Sequence, residues 1–188
     1  MKKFKFLLLS ACIALVACTT KTSSEQQVSD KGTKWSWDKG TIVVETPERP
    51  AEQTSVIGLT IPKMEVVRVG FVGLGMRGPG AVERFTYIPG VEIVALCDYE
   101  KERAEKCQKY LQRASMPKAA IYSGEKGYEE LCKRDDIDLV YIATDWLHHF
   151  PVSMCAMENN KNVAIEVPSA MDLKECWALV NMSEKTRK

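Results

Sequence analysis

An apolar run, Val66-Val67-Arg68-Val69-Gly70-Phe71-Val72, passes directly into Gly73-Leu74-Gly75-Met76-Arg77-Gly78. A GxGxxG flanked by a strand before and a helix after leaves few folds open. The first glycine permits a tight turn, the second lets the main chain approach a pyrophosphate, and the third lets the helix lie close on the strand. The helix amides then face the anion. The next apolar segment ends in Asp98, twenty residues beyond Gly78. A carboxylate there accepts both ribose hydroxyls of an adenosine and repels a 2′-phosphate, so NAD is expected rather than NADP. The competing use of Asp98 is as a helix cap before Tyr99-Glu100.

After Pro62 short β-branched runs alternate with helical stretches, the signature of βαβ units. Strands are expected at 66–72, 91–97, 137–143 and 162–167, with a weaker one at 120–122. Helices are expected near 77–87, 100–113, 126–133, 148–159 and 172–185. The strands are apolar almost throughout, as a sheet covered on both faces requires, so the fold class is α/β, a doubly wound parallel sheet of the Rossmann type. Ligands of such sheets sit beyond the carboxyl ends of the strands. Two of those ends carry polar clusters, Thr144-Asp145-Trp146-Leu147-His148-His149 and Glu166-Val167-Pro168. In one account Thr144 or Asp145 caps a helix and one histidine is solvated; in the other the cluster touches the nicotinamide half of the cofactor. His148 and His149 point in different directions at a helix start, and no cysteine or carboxylate spacing supports a metal site.

The first eighteen residues stand apart from the fold. Lys2, Lys3 and Lys5 precede an apolar run from Phe6 to Val16, the plan of a secretory signal, too short to span a bilayer stably. It closes with Leu15-Val16-Ala17-Cys18, which resembles a bacterial lipobox, so Cys18 is the expected lipidated N-terminus. A second match at Leu9-Ser10-Ala11-Cys12 leaves a shorter apolar region, and a plain secretion signal or uncut anchor is the other reading. The expected layout is a leader at 1–18, a flexible tether at 19–34, an extended arm at 35–65 and the dinucleotide domain at 66–188. The arm carries the strand-like Thr41-Ile42-Val43-Val44, and Trp35 and Trp37, which need another surface to cover them. Export as a lipoprotein, periplasmic or on the cell surface, is expected, with membrane attachment only through the lipid. Net charge is +1 with the cations spread along the chain, which argues against a nucleic-acid partner. Without Cys12 and Cys18 five cysteines remain and none forms a CxxC, so no essential disulfide is expected.

From about Val66 onward these residues resemble the Gfo/Idh/MocA oxidoreductase superfamily, in which a Rossmann domain is followed by an α/β domain supplying most of the substrate site. There the fourth strand usually ends Thr-Pro-Asn-x-x-His; Thr144 and His149 match, while Asp145 and Trp146 depart. The fifth usually ends Glu-Lys-Pro, whose lysine donates a proton, and here Val167 stands in that place. A valine cannot donate one. Gly-Leu-Gly-Met-Arg-Gly, Asp-Trp-Leu-His-His, Glu-Val-Pro and the Glu-Thr-Pro-Glu-Arg-Pro arm at 45–50 together resemble the NAD-dependent α-N-acetylgalactosaminidases of glycoside hydrolase family 109. The resemblance implies that Met76 and Arg77 contact the pyrophosphate and Asp98 the ribose, while Trp146 to His149 and Glu166-Val167 line the nicotinamide half. It also implies a small carbohydrate substrate, cleaved by NAD-assisted oxidation, elimination and re-reduction. Alternatives are a net sugar oxidoreductase and an inactive NAD-binding fragment, because the family's substrate-binding residues fall after Lys188. Self-association is left open.

Overall fold

The computed structural model describes residues 27–29 and 32–188. The expected leader with Cys18, and most of the expected tether, lie outside the described residues. The chain divides into two compact units at Glu45/Thr46.

In the first unit β1 (Gln27–Val28), β2 (Lys34–Asp38) and β3 (Thr41–Val44) form an antiparallel sheet in the order β1-β2-β3. Asp38 pairs with Thr41, leaving a two-residue loop in which Lys39 and Gly40 both have positive φ, 47° and 83°. That backbone hand matches the twist of a tight hairpin. Gln27, Val28 and Lys34, expected in the tether, are strand residues of this sheet together with 35–38 and 41–44, expected in the arm. Trp35 and Trp37 lie on one face of β2 and meet edge to face at 6.2 Å.

In the second unit five parallel strands stand in the order β6-β5-β4-β7-β8. They are β4 (Val67–Val72), β5 (Val91–Asp98), β6 (Ala120–Ser123), β7 (Leu139–Ile142) and β8 (Asn162–Ile165). Alternation along β4 sends Val69 and Phe71 into one apolar layer and Val72 into the other. Helices α1 (Gly78–Phe85) and α2 (Lys101–Arg113) supply Ala81, Val82, Ala104 and Leu111 to the first layer. Helices α3 (Gly127–Cys132) and α4 (Trp146–Glu158) supply Leu131, Val152 and Ala156 to the second. This is the doubly wound sheet expected from the alternation of runs, with each element displaced by at most a few residues. Helix α5 (Leu173–Thr186) is capped by Asp172, whose carboxylate accepts the Glu175 amide at 2.9 Å.

The segment from Thr46 to Glu65 belongs to this second unit rather than forming an arm with the tryptophans. Arg49 Nε donates to the buried Glu184 carboxylate at 2.8 Å, and Arg187 donates to the Thr54 carbonyl at 3.1 Å, so the segment is tied to α5. All five described cysteines are free. Burial pushes Cys97 up to about 12 and Cys107 up to about 11, which keeps both as thiols.

Candidate functional site

The strand order reverses around β4, and a crevice opens there beyond the carboxyl ends of the strands. Val72 is level with Cys97 of β5 and Ile142 of β7, so three strand ends deliver their loops to one place. The turn after β4 is fixed by the Gly73 amide, which donates to the Cys97 carbonyl at 2.9 Å.

The three motif glycines serve different ends. Gly73 has φ +91°, and a Cβ on it would collide with the Thr144 amide and the Ala143 carbonyl. At Gly78 a Cβ would overlap the Gly73 carbonyl oxygen, because α1 begins pressed against the turn. Gly75 is unlike both: its Cβ would meet only the Arg103 guanidinium, at an ordinary 3.6 Å. The fold needs no glycine there, whereas a pyrophosphate laid on the loop does. Helix α1 begins without a side-chain cap from Arg77, and because Pro79 has no amide hydrogen, only the Gly78 and Gly80 amides of its first turn are available to an anion.

Asp98 ends β5 almost fully buried. Its Oδ2 accepts the Leu74 amide at 2.6 Å, and its Oδ1 accepts the Glu100 amide at 2.9 Å. Glu100, not Asp98, is the capping position of α2. Arg103, one turn into α2, places Nη1 3.5 Å from Asp98 Oδ1 and Nη2 3.1 Å from Glu100. Arg103 was not singled out from the sequence; the available signal was its place on the first turn of the helix after the acidic strand end.

At the opposite side Asp145 caps α4, its Oδ1 accepting the amides of Leu147 and His148 at 2.9 and 3.3 Å. Partial desolvation pulls the Asp145 carboxyl upward, but His148, 2.7 Å away, and the two amides outweigh it and hold the group below the usual carboxylate range. The cap expected of Thr144 or Asp145 is thus made by Asp145, while Trp146, His148 and His149 border the crevice. His149 is buried and its Nδ1 lies 2.7 Å from the Pro168 carbonyl oxygen. Beyond β8 the Tyr141 hydroxyl donates to Glu166 at 2.7 Å, and burial followed by that carboxylate pushes the phenol above its ordinary value.

Gly73, Gly75, Met76, Arg77, Asp98, Trp146, His149, Glu166 and Val167 all border one cavity of about 890 Å³, large enough for a dinucleotide. Gly78 is absent from its wall and acts through the close helix approach. Tyr99, Arg103, Gly124, Glu125 and Tyr128 complete the wall on the Asp98 side. Among the described residues no group of three or more His, Cys, Asp or Glu is placed to hold a metal.

The profile of the Gfo/Idh/MocA oxidoreductase family, described as an NAD-binding Rossmann fold, matches residues 67–188. Glycosyl hydrolase family 109 protein 5 of Phocaeicola vulgatus is 74% identical over 100% of this chain and 36% of that protein. The glycosyl hydrolase family 109 protein of Porphyromonas gingivalis is 51% identical over 96% of this chain and 37% of its own length. The chain thus spans about a third of the length of the curated relatives it matches. Among solved structures, myo-inositol dehydrogenase from Lactobacillus casei, in complex with NAD(H) and myo-inositol, superposes with TM-score 0.57 and 27% identity. That match covers 65% of this chain and 34% of the dehydrogenase.

Proposed function

The chain belongs, through residues 67–188, to the Gfo/Idh/MocA oxidoreductase family and carries its NAD-binding Rossmann domain, and on that premise we propose that it is the cofactor-holding part of a glycosidase acting on α-N-acetylgalactosaminides. Gly75 and the first amides of α1 receive the pyrophosphate, with Met76 and Arg77 beside it. Asp98 receives the adenosine ribose, and Trp146, Glu166 and Val167 enclose the nicotinamide half. When bound, NAD supplies a reversible hydride acceptor at the sugar, which acidifies the neighbouring C–H bond and allows the glycosidic oxygen to leave without a net redox change.

Val167 carries this reading. It stands at the cavity, 81% exposed, where the resemblance puts a proton-donating lysine in ordinary dehydrogenases. A valine leaves that side of the site with no group for the usual proton transfer. The 74% identity to a glycosyl hydrolase family 109 protein supports the same choice. The second reading, a net sugar oxidoreductase, is favoured by the likeness to myo-inositol dehydrogenase.

The test joins these residues to the remaining two-thirds of the Phocaeicola vulgatus relative and supplies p-nitrophenyl α-N-acetylgalactosaminide with NAD⁺. Nitrophenol release with no accumulation of NADH is expected, and deuterium at C2 should wash out into solvent. NADH accumulating with a free sugar would favour the oxidoreductase instead. We further propose export with a lipid on Cys18; incorporation of labelled palmitate that persists in Cys18→Ala would overturn that assignment.

A further inference from the structure

His149 sits on α4 with 1% of its surface exposed, among the residues that border the cavity. Its two nitrogens are in unlike situations. Nδ1 lies 2.7 Å from the Pro168 carbonyl oxygen. A carbonyl only accepts, so Nδ1 carries a proton. Nε2 is buried and is one of two such side-chain atoms without a partner among the described residues, the other being Gln53 Oε1. An atom sealed from solvent is equally sealed from a ligand lying in the cavity as it stands. As the side chain stands, Nδ1 is engaged and Nε2 is covered.

The bond it does make joins the two polar strand ends, running from α4 after β7 to the turn after β8. On the near side of that turn Glu166 is held by Tyr141 at 2.7 Å. On the far side Pro168 is held by His149. Between the two tethers Val167 is 81% exposed at the cavity. We propose that His149 is a positioning residue whose Nδ1–H pins Pro168, so that Val167 is presented ready-ordered to the nicotinamide half of the dinucleotide. Ordering the turn beforehand removes a conformational cost that binding would otherwise bear. The proposal rests on the assignment of this end of the cavity to the nicotinamide.

The test titrates the chain with NAD⁺ and separately with 5′-AMP, which lacks the nicotinamide half. In His149→Asn the side-chain amide sits near the Nδ1 position; in His149→Gln it sits near Nε2. His149→Asn is expected to bind NAD⁺ within about twofold of the wild type, and His149→Gln about five- to tenfold more weakly, the worth of one lost hydrogen bond. AMP affinity should be unchanged in both. Wild-type affinity in His149→Gln, equal weakening in both variants, or a parallel loss of AMP binding would overturn the proposal. Should the variants not fold, ¹⁵N spectra of the wild-type chain serve: Nδ1 protonated with and without NAD⁺ and Nε2 unmoved is expected, and a response of Nε2 to NAD⁺ overturns it. Equal wild-type affinity for NAD⁺ and AMP would overturn the nicotinamide assignment itself, and the proposal with it.

Discussion

Gly75 and Gly78 stand three positions apart in one motif, yet substitution should harm the protein in opposite ways. A Cβ at Gly78 would overlap the Gly73 carbonyl oxygen, whereas one at Gly75 reaches only Arg103 at 3.6 Å. Gly78→Ala is expected to lower stability by more than about 1 kcal/mol through overpacking against backbone. Gly75→Ala should keep the melting temperature of the wild type and lose at least about tenfold in NAD⁺ affinity, because the added methyl occupies the path of the pyrophosphate. Thermal melts and titrations on the same two variants check both halves. Asp98→Ala should weaken NAD⁺ by about 1–3 kcal/mol, the worth of charge-assisted hydrogen bonds. It should also lower stability without cofactor, since the Leu74 and Glu100 amides lose their acceptor. An affinity equal to wild type would remove Asp98 from the ribose role.

At the scale of elements the alternation of apolar runs and helical periods is a local property, so all five strands and five helices of the second unit were legible. Their ends were less so, because caps decide them. Helix α4 starts at Trp146 rather than 148 since Asp145 takes the amides of Leu147 and His148. The hairpin of β2 and β3 was missed because Lys39-Gly40 is a weak turn signal, and positive φ at a lysine is set by closure of the ladder. Strand pairing also brings charges together. Arg68 on β4 donates twice to Asp138 ahead of β7, at 2.9 and 2.7 Å, and its amide donates a third bond at 2.9 Å. The Arg68 side chain is the main cause that holds the Asp138 carboxyl below its ordinary value. A carboxyl lowered in the folded state adds stability above its unfolded value, about 3.9, and that contribution fades as pH falls through the lower folded value. Urea unfolding over a pH series should therefore show wild-type stability dropping on acidification below about pH 4 more steeply than that of Asp138→Asn. Parallel curves would remove the pair as the cause.

For the whole molecule the decisive contacts join residues far apart in sequence. Arg49 and Glu184 are 135 positions apart, and only the folded unit reveals that the segment ahead of β4 is tied to α5. A ligand that binds the crevice between loops of separate strands should stabilise the unit that forms it. At about 100 times its Kd, NAD⁺ is expected to add about 2.7 kcal/mol and raise the melting temperature by several degrees. A melting temperature indifferent to NAD⁺ would count against the crevice as its site.

Gly73, Gly75, Gly78 and Asp98 declare the dinucleotide fold on their own, because a turn, a close approach and a ribose acceptor depend on residue type and short spacing. The three glycines by themselves could not say which serves the fold and which the ligand. That difference lies in the neighbour each missing Cβ would meet, the Gly73 carbonyl in one case and open space up to Arg103 in the other. Likewise His149 reads as a cofactor contact in its motif, and only the fold places the Pro168 carbonyl, nineteen residues on, at its Nδ1. Spacing along the chain specifies local geometry, while the partner of a buried polar atom is chosen by packing between elements.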